Sequence, residues 1–191
     1  MHVRRRFVLV DRDGTINAER CYLTDPEQLE LLPAAAAGLR SLSAAGLGLV
    51  VVTNQSAVGR GLMDEDRLGQ IHERLHDMLA AEGVCLDGIY YCPHVPEAGC
   101  SCRKPAPGLA LRAAAEFGFE LSECFVVGDK PCDLLLGRTI GAATILVRTG
   151  YGSQTEADGS TPADAVADDL LHAAGIIAGW LHADAAARPA C

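Results

Sequence analysis

Two acidic residues lie two positions apart directly after the first apolar run of the chain. Phe7–Val10 precedes an Asp-Arg-Asp-Gly-Thr segment that contains Asp11 and Asp13. Carboxylate oxygens are preferred ligands of Mg²⁺, and a carboxylate can also attack phosphorus to form an aspartyl phosphate. Taken alone, the segment is as typical of a turn or a helix cap as of a functional site, because Asp and Gly are common in all of them.

Further polar residues follow three other apolar runs. They are Thr53 after Leu47–Val52, Arg103 and Lys104 in the loop after Gly88–Tyr91, and Asp129 and Lys130 after Cys124–Val127. With Asp11 and Asp13, this set offers Mg²⁺ ligands, cations and a hydroxyl group. These groups can neutralise a phosphoryl group during its transfer.

Apolar runs alternate with helical patterns along the chain. The remaining predicted strands are Thr144–Val147 and Ala163–Val166, and the predicted helices are Pro33–Ala45, Asp64–Glu82, Pro107–Phe117, Cys132–Ile140 and Asp168–Leu181. Most strand runs are continuously apolar, as expected of strands covered on both faces. We therefore predict a three-layer α/β fold with a doubly wound parallel sheet, whose ligands bind outside the carboxyl ends of the strands.

Three segments break this alternation. We interpret Ile16–Leu32 and His94–Pro107 as irregular excursions that form the rim of the site, and Gly150–Pro162 as a polar loop. None is long enough for a separate cap domain, so residues 1–191 are predicted to form one domain. Residues 183–191 are expected to be a flexible tail.

Composition excludes several classes of protein. The chain has 191 residues, is 49% hydrophobic and carries a net charge of −9, which argues against binding to nucleic acid or an anionic membrane. No apolar run approaches the ~20 residues of a membrane span, and we expect a cytoplasmic monomer that acts on a small molecule. In that compartment its cysteines are free thiols or metal ligands.

Three cysteines and a histidine lie within eleven positions after the third strand. Cys92, His94, Cys100 and Cys102 can close a tetrahedral site, and the four-ligand set favours structural Zn²⁺ over a catalytic metal. Residues 92–102 are called the Cys/His loop. A zinc ion there would direct the following Arg103 and Lys104 toward the phosphate. The alternative is a set of buried thiols.

The polar residues at the strand ends resemble, in order and spacing, the four motifs of the haloacid-dehalogenase-like (HAD) phosphatases. The motif residues are Asp11, Asp13, Gly14, Thr15, Thr53, Lys104, Gly128, Asp129 and Asp133. The resemblance implies that Asp11 attacks phosphorus. Asp13 would protonate the leaving oxygen and then activate water, which points to a phosphatase and not a dehalogenase.

The same resemblance implies roles for the remaining motif residues. Thr53 and Lys104 would bind phosphoryl oxygens. Catalytic Mg²⁺ would be held by the Asp11 carboxylate, the Asp13 backbone carbonyl and Asp129, and Asp133 would support it from outside.

More narrowly, the Cys-X-His and Cys-X-Cys-Arg-Lys-Pro segments resemble the family of heptose 1,7-bisphosphate 7-phosphatases, which act in nucleotide-activated heptose synthesis, and the related histidinol-phosphate phosphatases. This resemblance implies a set of residues that bind the substrate. They are Glu19, Arg20, Cys21, Tyr22, Asn54, Gln55, Ser56 and Arg103, to which we add Lys130 on its position beside Asp129. Histidinol phosphate or another small phosphomonoester remains an alternative substrate. A nucleic-acid 3′-phosphate is disfavoured by the acidic charge, and a non-enzymatic zinc-bearing interaction module by the intact motifs.

Two other patterns have simpler interpretations. Cys132 and Arg138 have the spacing of a cysteine-dependent phosphatase, but an apolar helical stripe separates them, and we reject that mechanism. His72 and His76 are four residues apart on a predicted helix, and without a third ligand we interpret them as surface histidines.

Overall fold

Six strands form one fully parallel sheet in this computed structural model, which describes residues 5–187. The strands are β1 (Phe7–Val10), β2 (Gly48–Asn54), β3 (Gly88–Cys92), β4 (Phe125–Gly128), β5 (Ala143–Val147) and β6 (Ala165–Ala167). Their spatial order is β3-β2-β1-β4-β5-β6. The doubly wound parallel sheet predicted from the sequence is confirmed.

Seven helices connect or follow these strands within residues 5–187. They are α1 (Ala35–Ala44), α2 (Ser56–Gly59), α3 (Glu65–Ala81), α4 (Gly108–Phe117), α5 (Pro131–Ile140), α6 (Gly152–Asp158) and α7 (Leu170–Ala187). Among the described helices, none combines the length and the apolar character needed to span a bilayer.

Two predictions about the chain outside the sheet were wrong. The predicted polar loop Gly150–Pro162 contains α6, whose sequence lacks an apolar stripe and which is held by a hydrogen bond from Thr155 Oγ1 to the Asp129 carbonyl (2.8 Å). Helix α7 continues to Ala187, so the first part of the predicted flexible tail 183–191 is helical. Residues 188–191 lie outside the described residues.

Helices cover both faces of the sheet. On one face α1, α3 and α7 pack against Val8 and Val10, and on the other α4 and α5 pack against Phe7 and Leu9. All four β1 side chains are therefore buried, which explains the continuous apolar runs. Leu75 of α3 is fully buried, in the middle of the predicted apolar stripe.

The topology brings the ends of β1, β2 and β4 together. Strand β1 lies between β2 and β4, and Val10 pairs with Val51 on one side and Val127 on the other. The chain continues from β1 to β2 on one side and from β4 to β5 on the other, and this divergence opens a crevice at the carboxyl ends of β1 and β4. Residues 16–32 flank it, closed by a bridge between Asn17 and Leu31.

Candidate active site

Asp11 leaves the end of β1 with one carboxylate oxygen held and the other open. Its backbone N–H donates to the Val127 carbonyl of β4 (2.9 Å). Its Oδ1 accepts hydrogen bonds from the Arg12 N–H (2.7 Å) and is 2.8 Å from Lys104 Nζ. No donor within residues 5–187 binds Oδ2. One oxygen is thus oriented while the other is available to an electrophile.

Lys104 is a buried cation shared by two carboxylates. Its Nζ lies 2.8 Å from Asp11 and 2.7 Å from Asp133. Burial alone would lower the pKa of Lys104, but Asp11 and Asp133 outweigh it and raise the pKa above its usual range. The Asn54 side chain accepts from the Lys104 N–H (3.0 Å) and donates to its carbonyl (3.2 Å), which fixes this loop to the end of β2.

Three carboxylates form a cluster that lacks sufficient positive charge. Oxygens of Asp11, Asp129 and Asp133 all lie within 4.8 Å of one another. Burial and the Asp11 charge raise the pKa of Asp129 to about 8. Both Asp133 oxygens already have partners, Lys104 Nζ and the Lys130 N–H (3.1 Å).

Asp129 has the open ligand atom of this cluster. Its Oδ2 accepts from the Tyr151 N–H (2.8 Å), whereas its fully buried Oδ1 has no hydrogen-bond partner. Lys130 Nζ lies 3.8 Å from this Oδ1, too far for a hydrogen bond. A buried carboxylate oxygen without a donor is costly unless a cation binds it directly. The residues present therefore fit a hard divalent cation between Asp11 and Asp129, with Asp133 outside it.

Two glycines permit this position of Asp129. Gly14 (φ +86°) and Gly150 (φ +56°) both pack against its Oδ2, and a Cβ at either position would overlap that atom. Gly14 belongs to the Asp-Arg-Asp-Gly-Thr segment. The position of Gly150 beside Asp129 was not predicted from the sequence, because the loop that contains Gly150 carries no motif of its own.

Asp13 faces the cleft from a dense hydrogen-bond network. Its carboxylate accepts from Arg12 Nη2 (2.9 Å), Asn17 Nδ2 (2.9 Å) and Gln55 Nε2 (2.8 Å). Burial opposes ionisation, but Arg12 and the amide donors prevail and lower the pKa of Asp13. Asp13 is an ionised carboxylate here, so a proton must reach it before it can act as an acid.

The cleft between these groups has a volume of about 250 Å³. Its lining residues are Asp11, Asp13, Glu19, Cys21, Tyr22, Thr53, Asn54, Ser56, Arg103, Lys104, Lys130, Cys132 and Tyr151. Two predicted substrate residues lie outside this lining. Arg20 pairs with Glu30 (3.0 Å) at the surface, and Gln55 is buried, where it donates to Asp13 and to Thr53 Oγ1 (2.8 Å).

Lys130 joins the two walls of the cleft. Its Nζ lies 2.6 Å from Glu19 Oε2 and 5.1 Å from the centre of the Tyr151 ring. Tyr151 was missed in the sequence because it directly precedes α6, which has no apolar periodicity.

Cys132 also lines the cleft but is unsuited to nucleophilic attack. Burial, and then the Asp133 charge, raise the pKa of its thiol to about 12. Arg138 donates instead to the Pro162 carbonyl (2.5 Å). The rejection of a cysteine-dependent mechanism agrees with this geometry.

The prediction that His72 is a surface histidine was wrong. Its Nε2 lies 3.1 Å from Arg12 Nη1, and its ring packs against Tyr91 with centres 5.5 Å apart. His76 is exposed, as expected, with 55% of its side chain accessible.

The Cys/His loop gathers its four predicted ligands at one point. Cys92 Sγ lies 3.1 Å from Cys102 Sγ and 3.5 Å from Cys100 Sγ, and His94 Nδ1 lies 3.2 Å from Cys102 Sγ. These cysteines are not joined by disulfides. Burial, and then the Cys102 thiol, raise the pKa of Cys92 to about 12, so its thiolate needs a metal cation. The set fits a tetrahedral ion such as Zn²⁺.

Comparisons with known proteins address the family of the chain. A family model described as HAD-hydrolase-like matches residues 101–173. A protein from Photorhabdus laumondii named D-glycero-beta-D-manno-heptose-1,7-bisphosphate 7-phosphatase is 40% identical over 159 residues, covering 79% of this chain and 85% of the relative. The chain belongs to the heptose 1,7-bisphosphate 7-phosphatase family. The HAD resemblance predicted from the motifs is therefore confirmed.

Solved structures of this phosphatase family share the fold. The D,D-heptose 1,7-bisphosphate phosphatase of B. bronchiseptica, complexed with magnesium and phosphate, superposes with a TM-score of 0.86 at 35% identity, covering 92% of this chain and 99% of that one. The enzyme of the same name from Burkholderia thailandensis gives a TM-score of 0.72 at 32% identity, with coverages of 91% and 99%. The chain is accordingly a HAD-type phosphatase.

Proposed function

We propose that this phosphatase removes the 7-phosphate of D-glycero-D-manno-heptose 1,7-bisphosphate, in a Mg²⁺-dependent reaction through an aspartyl phosphate. The observation that carries the proposal is the convergence on Asp11 of a buried Lys104 and of Asp129, whose buried Oδ1 has no hydrogen-bond partner. The relatives named for the β-anomer support the same form of the sugar here. The proposed role is a step in the synthesis of nucleotide-activated heptose.

The proposed chemistry assigns each proton and bond to a residue of this chain. The free Asp11 Oδ2 attacks phosphorus, and the bond from phosphorus to the sugar oxygen breaks. Thr53 and Lys104 bind phosphoryl oxygens and stabilise their charge. Asp13 gives a proton to the departing hydroxyl, then takes one from the water that hydrolyses the phosphorylated Asp11.

Asp13 begins as a carboxylate, so protonation must accompany substrate binding. An ordinary Asp pKa of about 3.9 corresponds to roughly 4 kcal/mol for protonation at pH 7. A phosphate dianion beside Asp13 opposes its negative charge and offsets part of that cost.

We further propose that Asp11, Asp129 and the Asp13 carbonyl hold Mg²⁺, and that Asp133 supports them. When bound, Mg²⁺ neutralises charge on the phosphoryl group and its ligands. The magnesium-bound state of the B. bronchiseptica enzyme supports this assignment.

The Cys/His loop is proposed to bind structural Zn²⁺ and to position Arg103. Arg103 Nη1 donates to the His94 carbonyl (3.3 Å), which links its guanidinium to the loop. Arg103, Lys130, Glu19 and Tyr22 would then contact the sugar bisphosphate. We retain Arg20 and Gln55 only as indirect contributors, given their positions outside the cleft lining.

A cytoplasmic monomer is the proposed physiological form. The free thiols of the Cys/His loop suit a reducing compartment.

Phosphate release from three substrates tests the proposal. The β- and α-anomers of the heptose bisphosphate and histidinol phosphate are compared with and without Mg²⁺, and ³¹P NMR identifies the remaining phosphate. The expected result is Mg²⁺-dependent formation of heptose 1-phosphate, fastest from the β-anomer. Faster turnover of histidinol phosphate, or equal rates on all three, would overturn the substrate assignment.

A further inference from the structure

We propose that His72, on α3, is a positioning residue for Asp13 that acts through the buried side chain of Arg12. The inference rests on the proposed role of Asp13 as the proton donor. It concerns a residue 59 positions from Asp13 that lies outside the lining of the cleft.

Arg12 forms the connection between His72 and Asp13. Its side chain is completely buried, and its Nη2 donates to Asp13 Oδ2 (2.9 Å) and Gln55 Oε1 (3.0 Å). Nε also lies 3.2 Å from Asp13 Oδ1. A buried guanidinium has a planar set of donors whose directions are rigidly related. Tilting the guanidinium therefore displaces its contacts with Asp13.

His72 accepts the hydrogen bond on the opposite edge of this guanidinium. Arginine has donors and no acceptor, so the 3.1 Å contact requires Nε2 to be the unprotonated nitrogen of a neutral imidazole. Burial, and then the Arg12 charge, lower the pKa of His72 to about 3, which keeps the ring neutral. The packing of Ile71 and Leu75 in the core fixes the helix that carries it.

The consequence is a constraint on the orientation of Asp13. Removing the His72 acceptor leaves a buried Nη1–H without this partner, and Arg12 gains the freedom to rotate toward another. Asp13 then loses the alignment from which it reaches the leaving oxygen. Asp11 and Lys104 are held by contacts that do not involve the Arg12 guanidinium, so attack on phosphorus is preserved.

Substrates that differ in their need for a proton separate this role from a general structural one. A sugar alkoxide needs protonation as it leaves, whereas 4-nitrophenolate leaves without it. The quantity to measure is kcat/KM, which covers the steps through departure of the leaving group and excludes later hydrolysis of phosphorylated Asp11. The ratio of the two kcat/KM values cancels the fraction of folded enzyme.

Leu and Gln at position 72 provide the matched variants. For His72→Leu we expect the ratio of kcat/KM on the sugar bisphosphate to kcat/KM on 4-nitrophenyl phosphate to fall about tenfold. This is part of the 10²–10⁴-fold that a general acid contributes. His72→Gln, which can place Oε1 near the Nε2 position, should restore most of the ratio. His76→Leu, one turn along the same helix, should leave it unchanged.

Each other outcome counts against the inference. An unchanged ratio, or equal loss on both substrates, would mean that His72 has a structural role only. A higher ratio would mean that Arg12 restrains Asp13 and does not align it. Phenyl phosphate, whose leaving oxygen is more basic than that of the nitro ester, gives the same contrast without a sugar. Failure of wild-type enzyme on the heptose bisphosphate would thus refute the proposed substrate and still leave the role of His72 measurable.

Discussion

The carboxylate cluster and the Cys/His cluster place metal-binding atoms together by different structural means. Asp11 and Asp129 follow buried strands and are at most 6% exposed. In the Cys/His loop only Cys92 belongs to a strand; His94 is exposed, and Cys100 and Cys102 are partly accessible. The sheet can therefore hold the carboxylates despite their repulsion, whereas we expect the loop to need a metal ion to fix its shape. We expect metal loss to abolish chemistry at the first cluster and to disorder the second.

Asp11→Asn should have the largest effect and should be confined to the carboxylate cluster. The amide is a poor nucleophile, so phosphate release is expected to fall by about 10³-fold or more. Zinc content, measured by a colorimetric chelator assay, should not change because the Cys/His donors lie elsewhere. Loss of zinc in this variant would show that the two clusters are not independent. Cys132→Ala is the control and should remain active.

Asp13→Asn should reduce kcat by about 10²–10⁴-fold with little change in KM. Asparagine has nearly the same size and shape but cannot carry the proton, and its NH2 group replaces an oxygen that accepts hydrogen bonds in the wild-type protein. Steady-state kinetics on the sugar bisphosphate measure both constants. An unaltered kcat would remove Asp13 from the mechanism.

Cys102→Ser tests whether the Cys/His loop depends on its metal. We expect zinc loss, a lower midpoint of thermal unfolding, and a KM about tenfold higher, because Arg103 follows Cys102 directly. Cys85→Ser, at an exposed cysteine outside the cluster, should match wild type. A zinc-free variant with normal KM would contradict the contrast between the two regions.

The smallest expected effect concerns acid stability and the buried groups behind Asp13. The pKa of His72 is about 3 in the fold against 6.5 in its ordinary state. Between these values the unfolded chain binds a proton that the folded chain does not, so stability is lost as pH falls from about 6.5 toward 3. Between pH 7 and pH 5, the free energy of unfolding of His72→Gln should fall by about 1–2 kcal/mol less than that of the wild type.

Urea unfolding at the two pH values measures this difference, with His76→Gln as the control. Equal acid sensitivity of wild type and His72→Gln would show that His72 is not held neutral by its surroundings.

Local patterns were sufficient for most of the fold. Short apolar runs, most of them continuous, identified the six strands, and the apolar spacing around Leu75 identified α3. Helix α6 was not predicted because its polar sequence has no apolar face. The cleft residue Tyr151, which directly precedes it, was missed for the same reason. Arg20 and Gln55 were grouped with the substrate residues by their neighbours in sequence, although their side chains turn to Glu30 and Asp13.

The order of residues along the chain was enough to establish the kinds of groups available: carboxylates, cations and a hydroxyl at strand ends, and four soft donors in one loop. This information is local, because apolar periodicity and motif spacing depend on neighbouring residues. Which groups meet was settled by strand order and packing, which bring Lys104 to Asp11 and leave Asp129 Oδ1 without a hydrogen-bond partner. The contact of His72 with Arg12 has the same origin, since it depends on how α3 packs beside the end of β1.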